Sequence, residues 1–318
     1  MPKKYRGGEE MIKKNKGIFI TAIAAAGFGS TTIFAQLAYD LGANIMTLLS
    51  FRFGLASVLF LVVLKLSNVQ WNLTLKQVLT LIALGFAGYA VFTTIYFYGV
   101  SLIPASLAGF LLSIYPIIVC VVAYLLGDEV MSQPKCVALL SSVAGLIFVL
   151  GPTFEQINIL GVISVLLAAT LYSLYVVGSN RLLRTVHWLP GSAVITMSAA
   201  GFFLSGGIIT NQLTLDVNRG VLYCGIGLAL LATLLAIGGF YLGLSMIGPA
   251  KASIVSTLEP LVTAIVASII FGEQLTIGQL LGGSLIILSI IILQKAREEK
   301  YVAPKSYSLN KLNEEYRF

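Results

Sequence analysis

Residues 243–273 read GLSMIGPAKASIVSTLEPLVTAIVASIIFGE, and residues 99–129, 144 positions earlier, read GVSLIPASLAGFLLSIYPIIVCVVAYLLGDE. Gly243, Ser245, Ile247, Ala252, Pro260, Val266, Ala267 and Glu273 fall on Gly99, Ser101, Ile103, Ala108, Pro116, Val122, Ala123 and Glu129. Matched Val and Ala weigh little in so apolar a chain. The matched Pro and Glu at one offset weigh more. Each stretch holds an apolar run of the length a bilayer-crossing helix needs, about 20 residues, with a proline inside it.

The rest of the chain has the same character. Of 318 residues 58% are hydrophobic and 10% charged, and the mean hydropathy is +0.94; a soluble domain carries roughly 25% charge. A chain this long buries a core but still needs a polar surface, which so few charges cannot supply. A soluble enzyme, a disordered protein and a secreted disulfide scaffold are excluded. Ten apolar runs follow: about 17–38, 44–64, 76–99, 104–127, 134–151, 158–180, 190–210, 220–246, 250–272 and 276–294. Short turns such as Asp40-Leu41-Gly42 and Gly248-Pro249 join them, and none is long enough to hold a soluble domain. The first run is too long for a cleavable signal and reads as a retained span.

Lys and Arg in short loops mark the cytoplasmic side. With the N-terminus inside, 18 of the 20 basic residues fall inside, Arg219 falls outside, and Arg52 lies within a span. Ten spans with both termini cytoplasmic are therefore expected, in a bacterial plasma (inner) membrane. The fold expected is all-α and integral to the membrane. It comprises a basic N-terminus (1–16), two five-helix repeats (17–151 and 152–294) and a cytoplasmic tail (295–318). An odd number of spans per repeat inverts the second, as in secondary transporters whose halves enclose a midplane site. The net charge of +7 gathers at the two ends as orientation signals, so nucleic acid is not expected as a partner. Cys120, Cys136 and Cys224 lie in or beside apolar runs and read as small buried residues.

Several ordered segments carry a family resemblance. Gly248-Pro249-Ala250-Lys251-Ala252-Ser253, Leu258-Glu259-Pro260 and Phe271-Gly272-Glu273-Gln274-Leu275 resemble the second repeat of the EamA family of drug/metabolite transporters. Pro104 to Ala108, Pro116 and Gly127-Asp128-Glu129 resemble its first repeat, and Phe51-Arg52-Phe53 its second span. The resemblance covers roughly 17 to 295. It implies ten helices in two inverted halves, with alternating access around a cavity lined by spans one to four and six to nine. It is not symmetric in detail: Tyr115 stands where the second repeat has Glu259, and Thr196 where Arg52 would recur.

Charge within a span is costly, so it is functional or paired. Arg52 lies eight residues past Asn44, about 12 Å deep at 1.5 Å per residue. It suits a carboxylate or phosphate of a substrate, or equally a structural partner. Glu259 suits a protonatable coupling group or an ammonium-binding group, or equally a partner for Arg52 or for free backbone N–H groups. Glu129 and Glu273, at span ends, read as caps, and His187 as a loop residue. Tyr89, Phe92 and Tyr96 follow helical spacing, and with Tyr115, Tyr172 and Tyr175 are candidate walls of a substrate cavity. Gln36 and Asn180 are polar candidates for its lining, and Pro116 and Pro260 candidate hinges. Gly278-xxx-Gly282 and Ser141-xxx-Gly145 suit close helix packing, within the chain by default or in a homodimer.

No metal-ligand cluster, nucleophile motif or phosphate-cradling loop is present, so no catalytic, metal or cofactor site is expected. The expected activity is secondary active transport, as an exporter, of small amphipathic metabolites, amino acids or drugs. Its partners would be that small-molecule substrate and membrane lipid. The alternatives are a polytopic membrane enzyme and a passive channel.

Overall fold

A computed structural model describes residues 3–103, 105–112, 114–128, 131–150, 158–214, 218–271 and 277–295. All regular secondary structure among these is helical. Seven segments are long and apolar enough to cross a bilayer: Lys14–Asp40, Ile45–Leu66, Leu75–Val100, Ile159–Leu183, Trp188–Ile209, Arg219–Ile247 and Pro249–Ile270. Tyr115–Leu125 and Leu280–Ser289 are shorter apolar helices.

The first apolar run is α1 (Lys3–Gly29) and α2 (Thr31–Asp40), and the second is α3 (Ile45–Leu66). The third is α4 (Leu75–Ala83), a π-helical segment (Leu84–Ala90) and α5 (Val91–Val100). The fourth is split into α6 (Ala105–Leu112) and α7 (Tyr115–Leu125); α8 (Gln133–Leu150), α9 (Ile159–Leu183) and α10 (Trp188–Ile209) follow. The eighth is α11 (Arg219–Ala229), a second π segment (Leu230–Leu235) and α12 (Ala236–Ile247). The ninth is split into α13 (Pro249–Val255) and α14 (Leu258–Phe271), and α15 (Ile277–Lys295) closes the described chain. Helix α1 starts within the basic N-terminal stretch, since no proline interrupts Lys3 to Gly29.

The termini follow local chemistry. Asn44 caps α3 by accepting from the Thr47 N–H at 2.7 Å, and Thr74 with Gln77 forms a capping box on α4. His187 caps α10, its Nδ1 accepting from the Leu189 N–H at 3.3 Å. Partial burial pushes that imidazole down from its usual range, which keeps the accepting nitrogen unprotonated. Pro116 and Pro260 each sit in the first turn of a half-helix, where a missing N–H costs nothing. Both runs are therefore discontinuous rather than merely kinked. The break at Ser30 has no proline; its hydroxyl donates to Gly27 O at 2.6 Å, a local bond that competes with helix continuation.

The repeat is visible in the packing. Helix α1 runs along α12, and α9 along α5. A Cβ on Gly17 would come within 2.6 Å of Ile247 Cγ2, and one on Gly161 within 2.6 Å of Ile103 Cγ2. Adding 144 to Gly17 and subtracting it from Ile247 gives the second pair, the exchange expected of two repeats packed on each other. Likewise Gly99 faces Val165 and Gly243 faces Thr21. Helix α3 packs on α10 and α8 on α15, each against its own repeat partner, while the half-helices of the fourth and ninth runs cross over, α6 on α14 and α7 on α13. The two π segments and the two proline breaks also recur at nearly this offset. Gly145 lies so close to Gly282 that a Cβ would stand 2.7 Å from its carbonyl, so the small-residue faces meet within the chain.

Candidate functional site

Residues at the Ser30 break, in the first π segment and at the breaks in the fourth and ninth runs line one cavity. It measures about 30 Å³, room for about one water molecule. Phe28 and Thr31 line it from either side of the Ser30 break, Arg52 from α3, and Tyr89, Phe92, Thr93, Tyr96 and Phe97 from the third run. Leu112 at the end of α6, Tyr172 on α9 and Glu259 in the first turn of α14 complete it.

Arg52 is 2% exposed. Its Nε donates to Thr233 Oγ1 at 2.8 Å and its Nη2 to Ala232 O at 3.0 Å, both in the second π segment. A π turn shifts the hydrogen-bond ladder, and here it presents a carbonyl to the guanidinium. The Arg52 Cζ lies 4.9 Å from the Phe53 ring centre and 5.7 Å from that of Phe97. Ion pairs join Asp128 to Arg181 and Arg184, whereas Arg52 and Glu259 share the cavity without pairing. Two of the five guanidinium N–H donors are thus used by protein, and the charge is uncompensated at contact distance.

Glu259 is half-buried at the N-terminus of α14, where the helix dipole favours a carboxylate. The Ser30 break abuts it: Gly29 O accepts from Thr263 Oγ1 at 2.8 Å, and a Cβ on Gly29 would stand 2.7 Å from Glu259 O. Gly29→Ala should therefore cost about 1–3 kcal/mol of overpacking and lower the melting temperature. Gly54→Ala, whose Cβ meets nothing within 4 Å, should leave it unchanged. Equal melting temperatures for the two variants would refute this account of the junction.

Two buried hydroxyls of the lining, Thr31 Oγ1 and Tyr96 OH, have no hydrogen-bond partner. Buried polar groups are ordinarily satisfied, and these two hydroxyls are positioned to bond water or a polar ligand.

Of the residues singled out from sequence, Arg52, Glu259, Tyr89, Tyr96 and Tyr172 come together here. Tyr115 stacks edge-on against Tyr172 at 4.9 Å, just behind the lining. Tyr175 packs on Tyr89 at 5.2 Å but is hydrogen-bonded to the Tyr241 hydroxyl, which donates to Ser179 Oγ at 3.0 Å. Asn180, next to Ser179 in the chain, is buried and does not line the cavity. Gln36 donates to Asp40 at 3.3 Å, away from the cavity. Glu129 and Glu273 lie outside the described residues. Thr233 and Ala232 had no sequence signal, because their role exists only opposite Arg52.

Both ends of the bundle are tied. At one, Asp128 accepts from Arg181 Nε at 2.7 Å and Arg184 Nη2 at 3.0 Å, joining the end of α7 to that of α9. At the other, Asn44 donates to Gln212 O at 2.8 Å, and Thr47 accepts from the Thr214 N–H at 3.0 Å.

The chain is similar to proteins described as transporters. It is 24% identical over 252 residues to an uncharacterized transporter of Archaeoglobus fulgidus, covering 78% of this chain and 88% of that one. It is 25% identical over 205 residues to an uncharacterized transporter of Synechocystis sp., covering 61% and 60%. A solved crystal structure superposes with a TM-score of 0.74 over 88% of this chain and 96% of the other, at 14% identity, a likeness of fold alone. The model of the EamA-like transporter family matches residues 15–151 and again 159–294, and the chain, an integral membrane protein of two repeats, belongs to that family.

Proposed function

We propose that the protein is a secondary active transporter that exports a small amphipathic solute, with no enzymatic step, by alternating access around the Arg52–Glu259 cavity. One observation carries the reading: a buried cation from the first repeat and a carboxylate from the second wall one aromatic cavity without neutralising each other. A zwitterion such as an amino acid complements both. Its carboxylate would meet the guanidinium fork, its ammonium Glu259, and its side chain the rings of Tyr89, Phe92 and Tyr172.

A cavity of about 30 Å³ cannot hold such a solute, so one end must open and the rings must part. The topology we propose is ten spans as two inverted five-helix halves, 17–151 and 152–294, in a bacterial plasma membrane with both termini cytoplasmic. The Asp128–Arg181 end would then be cytoplasmic and the Asn44–Gln212 end external. Pro116 and Pro260, at the half-helix starts, would serve as hinges.

Counterflow in proteoliposomes with a panel of labelled amino acids tests the substrate class. Glu259 adds a second test. If it carries the coupling proton, Glu259→Gln makes uptake independent of pH while the folded protein still melts cooperatively. A variant that keeps the wild-type pH profile would refute that role.

A further inference from the structure

A second and larger cavity lies apart from the transport site, between α3, α10 and α11, with a volume of about 390 Å³. That is within the range of small-molecule pockets. Its walls are aliphatic and aromatic, including Leu48, Phe51 and Leu55 of α3. At its edge Leu204 and Leu222 are 41% and 37% exposed, so the cleft opens to the side of the bundle. All three helices belong to segments apolar and long enough to cross a bilayer, so that side faces lipid rather than water.

Three hydroxyl side chains interrupt the apolar lining: those of Thr47 and Thr214 bond each other, and that of Ser50 has no partner. Ser50 lines the cleft and is 5% exposed, and its hydroxyl is among the buried oxygens with no hydrogen-bond partner. A helical serine ordinarily satisfies itself on the carbonyl four residues back, as Ser57 does on Phe53 at 2.8 Å. Ser50 does not. It stands five residues into α3, about 7.5 Å along the axis at 1.5 Å per residue, beside the Asn44 and Thr47 bonds that close this end. A mainly apolar slot in the hydrocarbon region with one unused donor near its polar edge matches an acyl chain whose ester carbonyl lies at that edge.

We infer that this cleft holds the acyl chain of a membrane phospholipid, with Ser50 donating to the chain's ester carbonyl. The bound chain would fill the gap between the two repeats. Arg52 is two residues from Ser50, and Phe51 packs closely on Gly225 of α11, the helix that runs into the π segment holding Arg52. Lipid in the cleft would thereby set the spacing across which Arg52 reaches Thr233. The inference needs only the membrane-embedded helices and holds whatever the transported solute is.

The test uses the purified full chain in nanodiscs and two photoactivatable phosphatidylethanolamine probes. Both carry a diazirine in one chain; one has ester-linked and the other ether-linked chains. Wild type is expected to crosslink the ester probe within 45–55, 213–214 and 218–222, at least fivefold above the ether probe. Ser50→Ala should abolish the ester preference. Gly54→Leu, which projects a side chain into open space in the cleft, should reduce labelling by both probes at least fivefold. Crosslinks spread evenly over the outer helices, or an ester preference that survives Ser50→Ala, would overturn the inference. So would displacement of the probe by a free amphipathic solute but not by added phospholipid. Should Gly54→Leu not fold, the Ser50→Ala comparison decides alone.

Discussion

Arg52→Gln should abolish substrate-specific counterflow while the protein stays folded. The guanidinium is buried with two protein partners, Thr233 Oγ1 and Ala232 O, and no carboxylate within 4.0 Å. Removing it leaves those oxygens short of a donor, at about 1–3 kcal/mol. It also removes an uncompensated buried charge, whose desolvation cost is of the opposite sign. The two largely offset, so the melting temperature should move little. Binding has no such compensation. A charge-assisted contact to a substrate carboxylate contributes about 1.5–3 kcal/mol, so apparent affinity should fall roughly 10- to 150-fold. Arg52→Lys should fall nearly as far, because an ammonium cannot reproduce the fork. If both variants transport normally, Arg52 is structural. If both aggregate, its role is to hold α3 on the second repeat.

Asp128→Asn should open the end of the bundle at Arg181. Gly127 has φ of +69°, and the N–H groups of Gly127 and Asp128 return to Tyr124 O and Ala123 O at 3.0 and 2.9 Å. This is a Schellman turn that stops α7 and aims the next residue across the gap. Asp128 is 7% exposed, whereas the Arg181 and Arg184 side chains are 48% and 43% exposed. Solvent screening discounts each bond, leaving about 1–2 kcal/mol for the pair, a factor of roughly 5–30 in the closed-to-open ratio. Asn180, buried one residue before Arg181, provides the reporter. In a background lacking the native cysteines, maleimide labelling of Asn180→Cys should quicken by that factor when Asp128→Asn is added. Unchanged labelling would mean that the Tyr175–Tyr241–Ser179 hydroxyls alone seal this end.

Much of this architecture is legible in one dimension. Hydropathy reports lipid as solvent because each apolar run is a local property, and the 144-residue offset predicts a repeat that reappears in paired contacts such as Gly17–Ile247 and Gly161–Ile103. Intramembrane charge selected Arg52 and Glu259 without coordinates, since few side chains carry charge there without a reason. The polar picks were weaker. Gln36 and Asn180 had to face protein or water, but that requirement does not say which neighbour meets it.

Sequence alone therefore determined the helical, membrane-embedded class, the repeat and the two charged residues, because hydropathy and charge cost act within a single span. Tertiary structure decided the site. That Arg52 reaches a π turn 180 residues away, that Gly29 O at the Ser30 break accepts from Thr263, and that Asp128 meets Arg181 all depend on which helices become neighbours. Those bonds form between segments distant in the chain, so no local pattern encodes them.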